Sequence, residues 1–187
     1  MFTDMVGYSA LSQRNEKLAQ ELLEEHRALL RPLFPKFNGT EIKAIGDAFL
    51  LEFHSALEAA QCGIEIQRAL AHRNHDVTPD RRIELKIGIH IGDVVHRGGD
   101  AYGDGVNIAA RIEPRAGAGG ICVSMDVERQ IRSALREARA NGVEKHFGGD
   151  GFVPHRAAWG EKSSRREGAL ISKSKFKNRS EPLYLGC

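Results

Sequence analysis

Two aspartates and two helix-borne polar residues are the side chains whose types and spacing could do chemistry. Asp4 follows a strand-like start, "MFTD", and precedes Gly7, while Asp47 sits in "EIKAIGDAFLLEF", Glu41 to Phe53, where an apolar hairpin turns. Both can therefore lie at the same end of adjacent strands. Carboxylates so placed can share divalent ions, and magnesium, which takes hard oxygen ligands, commonly uses one or two carboxylates together with substrate phosphates. A Gly-Asp pair is also ordinary turn chemistry, and an isolated Asp4 reads equally well as a cap. Spacing alone leaves both readings open. The second cluster is "DAYGDGVNIAARIE". A helix beginning near Gly105 puts Asn107 and Arg111 four apart on one face. An arginine there neutralises charge on a transferring phosphoryl group and an asparagine orients a sugar oxygen. A polar helix face with an i, i+4 contact is the other reading.

Strands and helices must position these residues, and they alternate along the chain. Leu11, Leu18, Leu22, Leu29 and Leu33 form the apolar stripe of one long amphipathic helix ending near Pro32 to Pro35. "GTEIKAIG" and "DAFLLEF" predict two strands joined tightly at Gly46 and Asp47. Ser55 and Glu58 form a capping box opening a second helix, with an apolar face through Leu57, Ile64 and Leu70. "RIELKIGIHIGDVVHR" predicts a strand, a break at Gly92 and a short further strand. A loop and a helix from about Gly105 to Glu113 follow, stopped by Pro114; "GICVS" is a short buried strand, and a surface helix closes at Asn141 and Gly142. The order β, α, β, β, α, β predicts an α+β fold, the ferredoxin-like split βαβ arrangement with helices packed on an antiparallel sheet.

Composition narrows the class. With 187 residues, 41% hydrophobic and 28% charged, the chain fits one globular domain with a core of its own. A formal net charge of +2 demands neither a nucleic acid nor an acidic membrane as partner. Cys62, Cys122 and Cys187 lack CxxC spacing and read as free thiols of a reducing compartment. No apolar run reaches the length of a membrane span and no signal sequence opens the chain, so a soluble, cytoplasmic protein is expected. Residues 147–187 change character, being rich in Gly, Ser and basic residues without periodicity. Arg165, Arg166, Lys173, Lys175, Lys177 and Arg179 have only Phe176 interleaved, which suits a solvated, poorly ordered segment better than a nucleic-acid surface. A short final strand is possible around Pro182 to Leu185.

Taken together, "FTDMVGYSALS", "GTEIKAIGDAFLLEF", "LKIGIHIGDVV" and "YGDGVNIAARIE", in this order and at these separations, resemble the catalytic domain of class III nucleotidyl cyclases, the adenylate and guanylate cyclase family. The resemblance covers residues 2 to 133 and implies a catalytic domain over 1–146. It assigns Asp4, Met5 and Asp47 to a site for two divalent cations, Mg²⁺ or Mn²⁺, and Asn107 and Arg111 to ribose orientation and transition-state stabilisation. Lys86 falls where a basic residue meets the triphosphate. Lys43 and Asp100 match the base-reading pair of adenylate-specific members. Adenine offers an acceptor at N1 and a donor at N6, which complement a lysine donor and an aspartate acceptor, whereas guanine presents the reverse and would leave both groups unpaired. The resemblance thus implies conversion of ATP to 3′,5′-cyclic AMP and pyrophosphate, at sites completed across a head-to-tail homodimer. The first strand of such domains ordinarily begins several residues before the Phe-Thr-Asp motif, so this one is expected to be truncated. A truncated central strand leaves a second expectation, a catalytically silent cyclase-like domain with a regulatory nucleotide- or partner-binding role.

Overall fold

The computed structural model describes residues 1–140. Its main sheet has five strands in the order β2-β3-β1-β4-β7, formed by β1 (Phe2–Met5), β2 (Thr40–Ile45), β3 (Ala48–Glu52), β4 (Leu85–Ile89) and β7 (Ile121–Val123). Strands β1, β2, β3 and β4 pair antiparallel in the ferredoxin-like order, and β7 adds to β4 in parallel. The short β1 is central, as its position in the sequence motif predicts, and the Met1 nitrogen extends its pairing by donating to the Leu51 carbonyl at 2.8 Å. A separate antiparallel ribbon consists of β5 (Val95–Arg97) and β6 (Asp100–Tyr102).

The expected single first helix is two. Helix α1 (Tyr8–Arg14) ends at Asn15, whose extended backbone (φ −152°, ψ 85°) breaks the helical path before α2 (Glu16–Leu30) begins. The Asn15 side chain then accepts from the Leu18 N–H at 3.1 Å, an N-cap that satisfies one of the donors a helix start leaves open. Helix α2 turns Leu22, His26 and Leu30 onto the sheet, where Phe49 of β3 meets Phe34 edge-on at 5.3 Å and the His26 ring at 5.2 Å. Each apolar side chain so buried contributes about 1.5–3 kcal/mol. Burial, followed by the neighbouring charges of Arg27 and Arg31, lowers His26 to about 4, so it sits in this core uncharged.

Helix α3 (Ala56–Arg73) starts at Ser55, whose hydroxyl accepts from the N–H groups of Leu57 and Glu58. Its buried face is built from Ala59, Ala60, Cys62, Gly63, Ile66, Gln67 and Leu70, while the expected Leu57 and Ile64 are only half-buried. Small residues let the helix lie close to the sheet: a Cβ on Gly63 would come within 3.3 Å of the Ile121 side chain. The buried Gln67 amide donates to the carbonyls of Leu85 and Gly120, both at 3.1 Å, and so ties β4 to the entry of β7. Burial pushes the free Cys62 thiol up to about 12. The expectation of free thiols fails at Cys122, which is disulfide-bonded. Helix α4 (Asp104–Ile112) runs into a 3-10 turn, Glu113–Arg115, at Pro114, and α5 (Met125–Ala140) follows β7. The predicted segment 147–187, with its possible strand at Pro182 to Leu185 and the close at Asn141 and Gly142, lies outside the described residues.

Candidate active site

Strand pairing brings the acidic residues together. Asp4 stands directly opposite Lys86 in the β1–β4 ladder. Asp47 follows Gly46, whose φ of +61° is open to glycine at little cost and lets β2 reverse into β3 within two residues. The Asp47 Oδ2 then accepts from the Met5 N–H at 3.1 Å, closing the hairpin tip onto the end of β1. Burial, and next the negative charge of Asp47, hold the Asp4 carboxyl above the ordinary carboxylate range, while Lys86 pulls it down. Asp47 is also raised by burial, against the stabilising backbone N–H donors of Asp47 itself and Met5. Two half-buried, mutually repelling hard-oxygen groups fit a divalent cation, which would relieve both burdens. Met5 fits such a site only through its backbone, since its side chain is 4% exposed in the hydrophobic core.

A third carboxylate lies behind this pair. Glu113 is 4% exposed, and its carboxyl is raised to about 7 by burial and then by Asp4, with Asp47 adding to the effect and Lys86 opposing it. It does not join a cluster: among the described residues no three His, Cys, Asp or Glu side chains gather to hold a metal. Two protein carboxylates therefore leave coordination positions for substrate oxygens, as magnesium sites for nucleoside triphosphates do. Sequence reasoning passed over Glu113 as a helix end before Pro114. No local signal marked it, because Glu113 meets this pair only when the 3-10 turn after α4 packs back on β4. Gly88, two residues after Lys86 on β4, allows this approach, because a Cβ there would lie 2.5 Å from the Ala109 carbonyl oxygen.

The expected base-reading pair is assembled within one chain. Lys43 Nζ lies 2.7 Å from both carboxylate oxygens of Asp100, linking β2 to the β5–β6 ribbon. The Lys43 hydrogen bond, then the Ala101 N–H at 2.8 Å, holds the Asp100 carboxyl below its usual range. Lys43 also lies 5.9 Å from the centre of the Tyr102 ring. About a third of each side chain of the pair stays exposed, 34% for Lys43 and 29% for Asp100, so both are reachable by a ligand. Around them Ile45, Val95 and Tyr102 are exposed apolar side chains. Asn107 and Arg111 project from α4 into solvent, and neither hydrogen-bonds Asp4 or Asp47 within the chain. The structure thus forms two separate groups, Asp4 with Asp47 and Lys86, and Lys43 with Asp100, and leaves Asn107 and Arg111 apart from both.

This sheet order, with helices packed on it, is the class III cyclase fold, and solved cyclase structures superimpose on it. The chain belongs to the adenylate and guanylate cyclase catalytic domain family, whose profile matches residues 1–148. It is 40% identical over 129 residues to a putative adenylate cyclase 3 of Rhizobium meliloti, a match covering 68% of this chain and 22% of that protein. An adenylate cyclase of Streptomyces coelicolor is 32% identical over 112 residues, which cover 59% of this chain and 28% of the relative. The chain therefore spans about a quarter of the length of these relatives or less. Among solved structures, an adenylate/guanylate cyclase/hydrolase from Silicibacter pomeroyi matches with TM-score 0.65 and 39% identity, covering 71% of this chain and 77% of that one. The guanylyl cyclase Cya2 matches with TM-score 0.61 and 25% identity over 70% and 75% of the two chains. Among the described residues no helix is long and apolar enough to cross a membrane.

Proposed function

We propose that this domain is an adenylate cyclase that converts ATP to 3′,5′-cyclic AMP and pyrophosphate at sites completed by a second copy of the chain. The observation that carries the base assignment is the Lys43–Asp100 pair, which places a donor and an acceptor side by side. Adenine N1 and N6–H complement that pair and guanine does not. Fold alone does not make this choice, since the structural relatives include both a guanylyl cyclase and an adenylate/guanylate cyclase.

Asp4 and Asp47, with the Met5 backbone, would hold two divalent cations, Mg²⁺ or Mn²⁺. Bound there, such ions supply Lewis acidity that favours loss of a ribose 3′-hydroxyl proton and offsets the charge of the triphosphate. Lys86, beside Asp4, meets the triphosphate as a point charge. Asn107 orients the ribose, and Arg111 stabilises the charge that develops as the 3′ oxygen attacks the α-phosphorus and pyrophosphate leaves. Because Asn107 and Arg111 are exposed and make no hydrogen bond to the acidic pair of their own chain, they are assigned to the acidic pair of a partner. A homodimer arranged head to tail about a two-fold axis carries two such sites. Exposed Ile45, Val95 and Tyr102 supply apolar area for that contact.

The test is product analysis. Purified chain with Mn²⁺ and either ATP or GTP should release 3′,5′-cyclic AMP from ATP at a much higher rate than cyclic GMP from GTP. A folded protein that makes neither product, or prefers GTP, refutes the proposal.

A further inference from the structure

The tip that presents Asp47 has little packing of its own. Ala44, Ile45 and Gly46 are exposed, β2 is an edge strand, and its pairing with β3 slips between Glu41 and Lys43. Two arginines one turn apart, Arg27 in α2 and Arg31 at its C-cap, grip this hairpin from outside. Arg31 forks onto Glu41 at 2.9 and 3.0 Å and lies over the Phe49 ring, 5.6 Å from its centre, which holds the base of the hairpin. Arg27 holds the tip: its Nη2 donates to the Gly46 carbonyl at 3.0 Å, while its Nη1 donates to Glu24 at 3.0 Å.

The Gly46 carbonyl belongs to the peptide bond that enters Asp47. Its orientation sets the plane from which the Asp47 side chain departs, and the Met5 N–H fixes the far end of that side chain at Oδ2. The carboxylate is therefore pinned at both ends, by β1 on one side and by α2 on the other. We propose that Arg27 is a positioning residue for Asp47, holding it at the separation from Asp4 that lets the two carboxylates share a divalent cation. This rests on the reading of Asp4 and Asp47 as a cation site. A merely structural role, an ion pair with Glu24 on the α2 surface, would affect folding stability and leave the cation untouched.

The experiment measures Mn²⁺ binding to the purified chain by the loss of the free-ion electron paramagnetic resonance signal, for wild type, Arg27→Ala, Arg27→Lys and Arg73→Gln. Partners that orient a metal ligand commonly alter affinity by 10–100-fold, so Arg27→Ala should weaken Mn²⁺ by roughly tenfold. Arg27→Lys, which keeps a donor for Gly46, should recover most of that loss. Arg73→Gln removes a bidentate pair with Glu25 remote from the hairpin and should lower Tm without changing Mn²⁺ affinity. Should Arg27→Ala fail to fold, Arg27→Met, which keeps the aliphatic stem, takes its place. Unchanged Mn²⁺ affinity in folded Arg27→Ala, or in Arg27→Met where it stands in, overturns the inference, and so does a wild type that binds no Mn²⁺. A wild type that binds Mn²⁺ without forming cyclic nucleotide defeats the cyclase proposal alone, and the Arg27 inference is then decided by the binding data.

Discussion

Gly88 is where the fold and the site meet most tightly, and Gly88→Ala tests that junction. A Cβ at this position would lie 2.5 Å from the Ala109 carbonyl oxygen, 2.7 Å from the Glu113 nitrogen and 2.9 Å from the Glu113 Cα. All three are backbone atoms, so no side chain can rotate away. An ordinary contact begins near 3.4 Å, so α4 and its 3-10 extension must recede by about half an ångström at least and by nearly one to relax fully. Overpacking of this kind costs about 1–3 kcal/mol, and in a domain of this size each kcal/mol lowers Tm by roughly 2–4 °C. The expected loss is therefore roughly 2–12 °C. The same recession carries Arg111 with it, and a displacement approaching 1 Å at a catalytic group can reduce turnover by about 100-fold. Thermal melts and steady-state turnover at saturating ATP measure the two effects on one preparation. A variant with wild-type Tm and wild-type turnover would show that α4 does not bear on Gly88 as described.

Other perturbations have equally definite outcomes. Asp47→Ala removes one of the two carboxylates and the acceptor for the Met5 N–H, and should abolish metal-dependent turnover in a chain that still folds; retained turnover removes Asp47 from the site. Lys43→Glu places two acidic groups against each other at the proposed base-reading position, and the ratio of ATP to GTP turnover should fall without unfolding, as the two product rates would show. Glu113, raised to about 7 from an unfolded value near 4.5, binds more protons in the folded state, so its favourable contribution is present below pH 4.5 and is lost as pH rises through 7. Glu113→Gln in metal-free buffer should accordingly gain Tm relative to wild type above pH 7, with the difference shrinking towards pH 4.5; a pH-independent difference contradicts the burial argument.

The sequence was most legible where local chemistry and tertiary structure agree. The Gly46-Asp47 turn, the Ser55 cap, the apolar "LKIGI" strand and the stop at Pro114 are each specified by neighbours within a few residues. The heptad-like leucine spacing concealed the break at Asn15, because a broken helix can continue the same stripe when its first piece packs against its second. The short strand predicted after the break at Gly92 is β5, whereas its partner β6, three residues in a stretch read as loop, left no periodic signal. Lys43 and Asp100 were paired from the motif match, and the structure joins them across 57 positions of sequence. Glu113 and Arg27 were not legible: each acquires its relation to Asp4 or Asp47 only when a helix folds back on the sheet, a long-range consequence that neither spacing nor composition encodes.

The account turns on an ATP site shared between two copies of the chain, and complementation tests it most directly. Asp47→Ala and Asn107→Ala are purified separately, each expected to be silent with ATP and Mn²⁺, and then mixed in equal amounts. Random pairing makes half the dimers mixed, each with one intact site of two, so the mixture should recover about a quarter of wild-type cyclic AMP formation. A mixture that stays silent, although the wild-type chain turns over ATP and the variants associate with each other, would contradict a site built from both protomers.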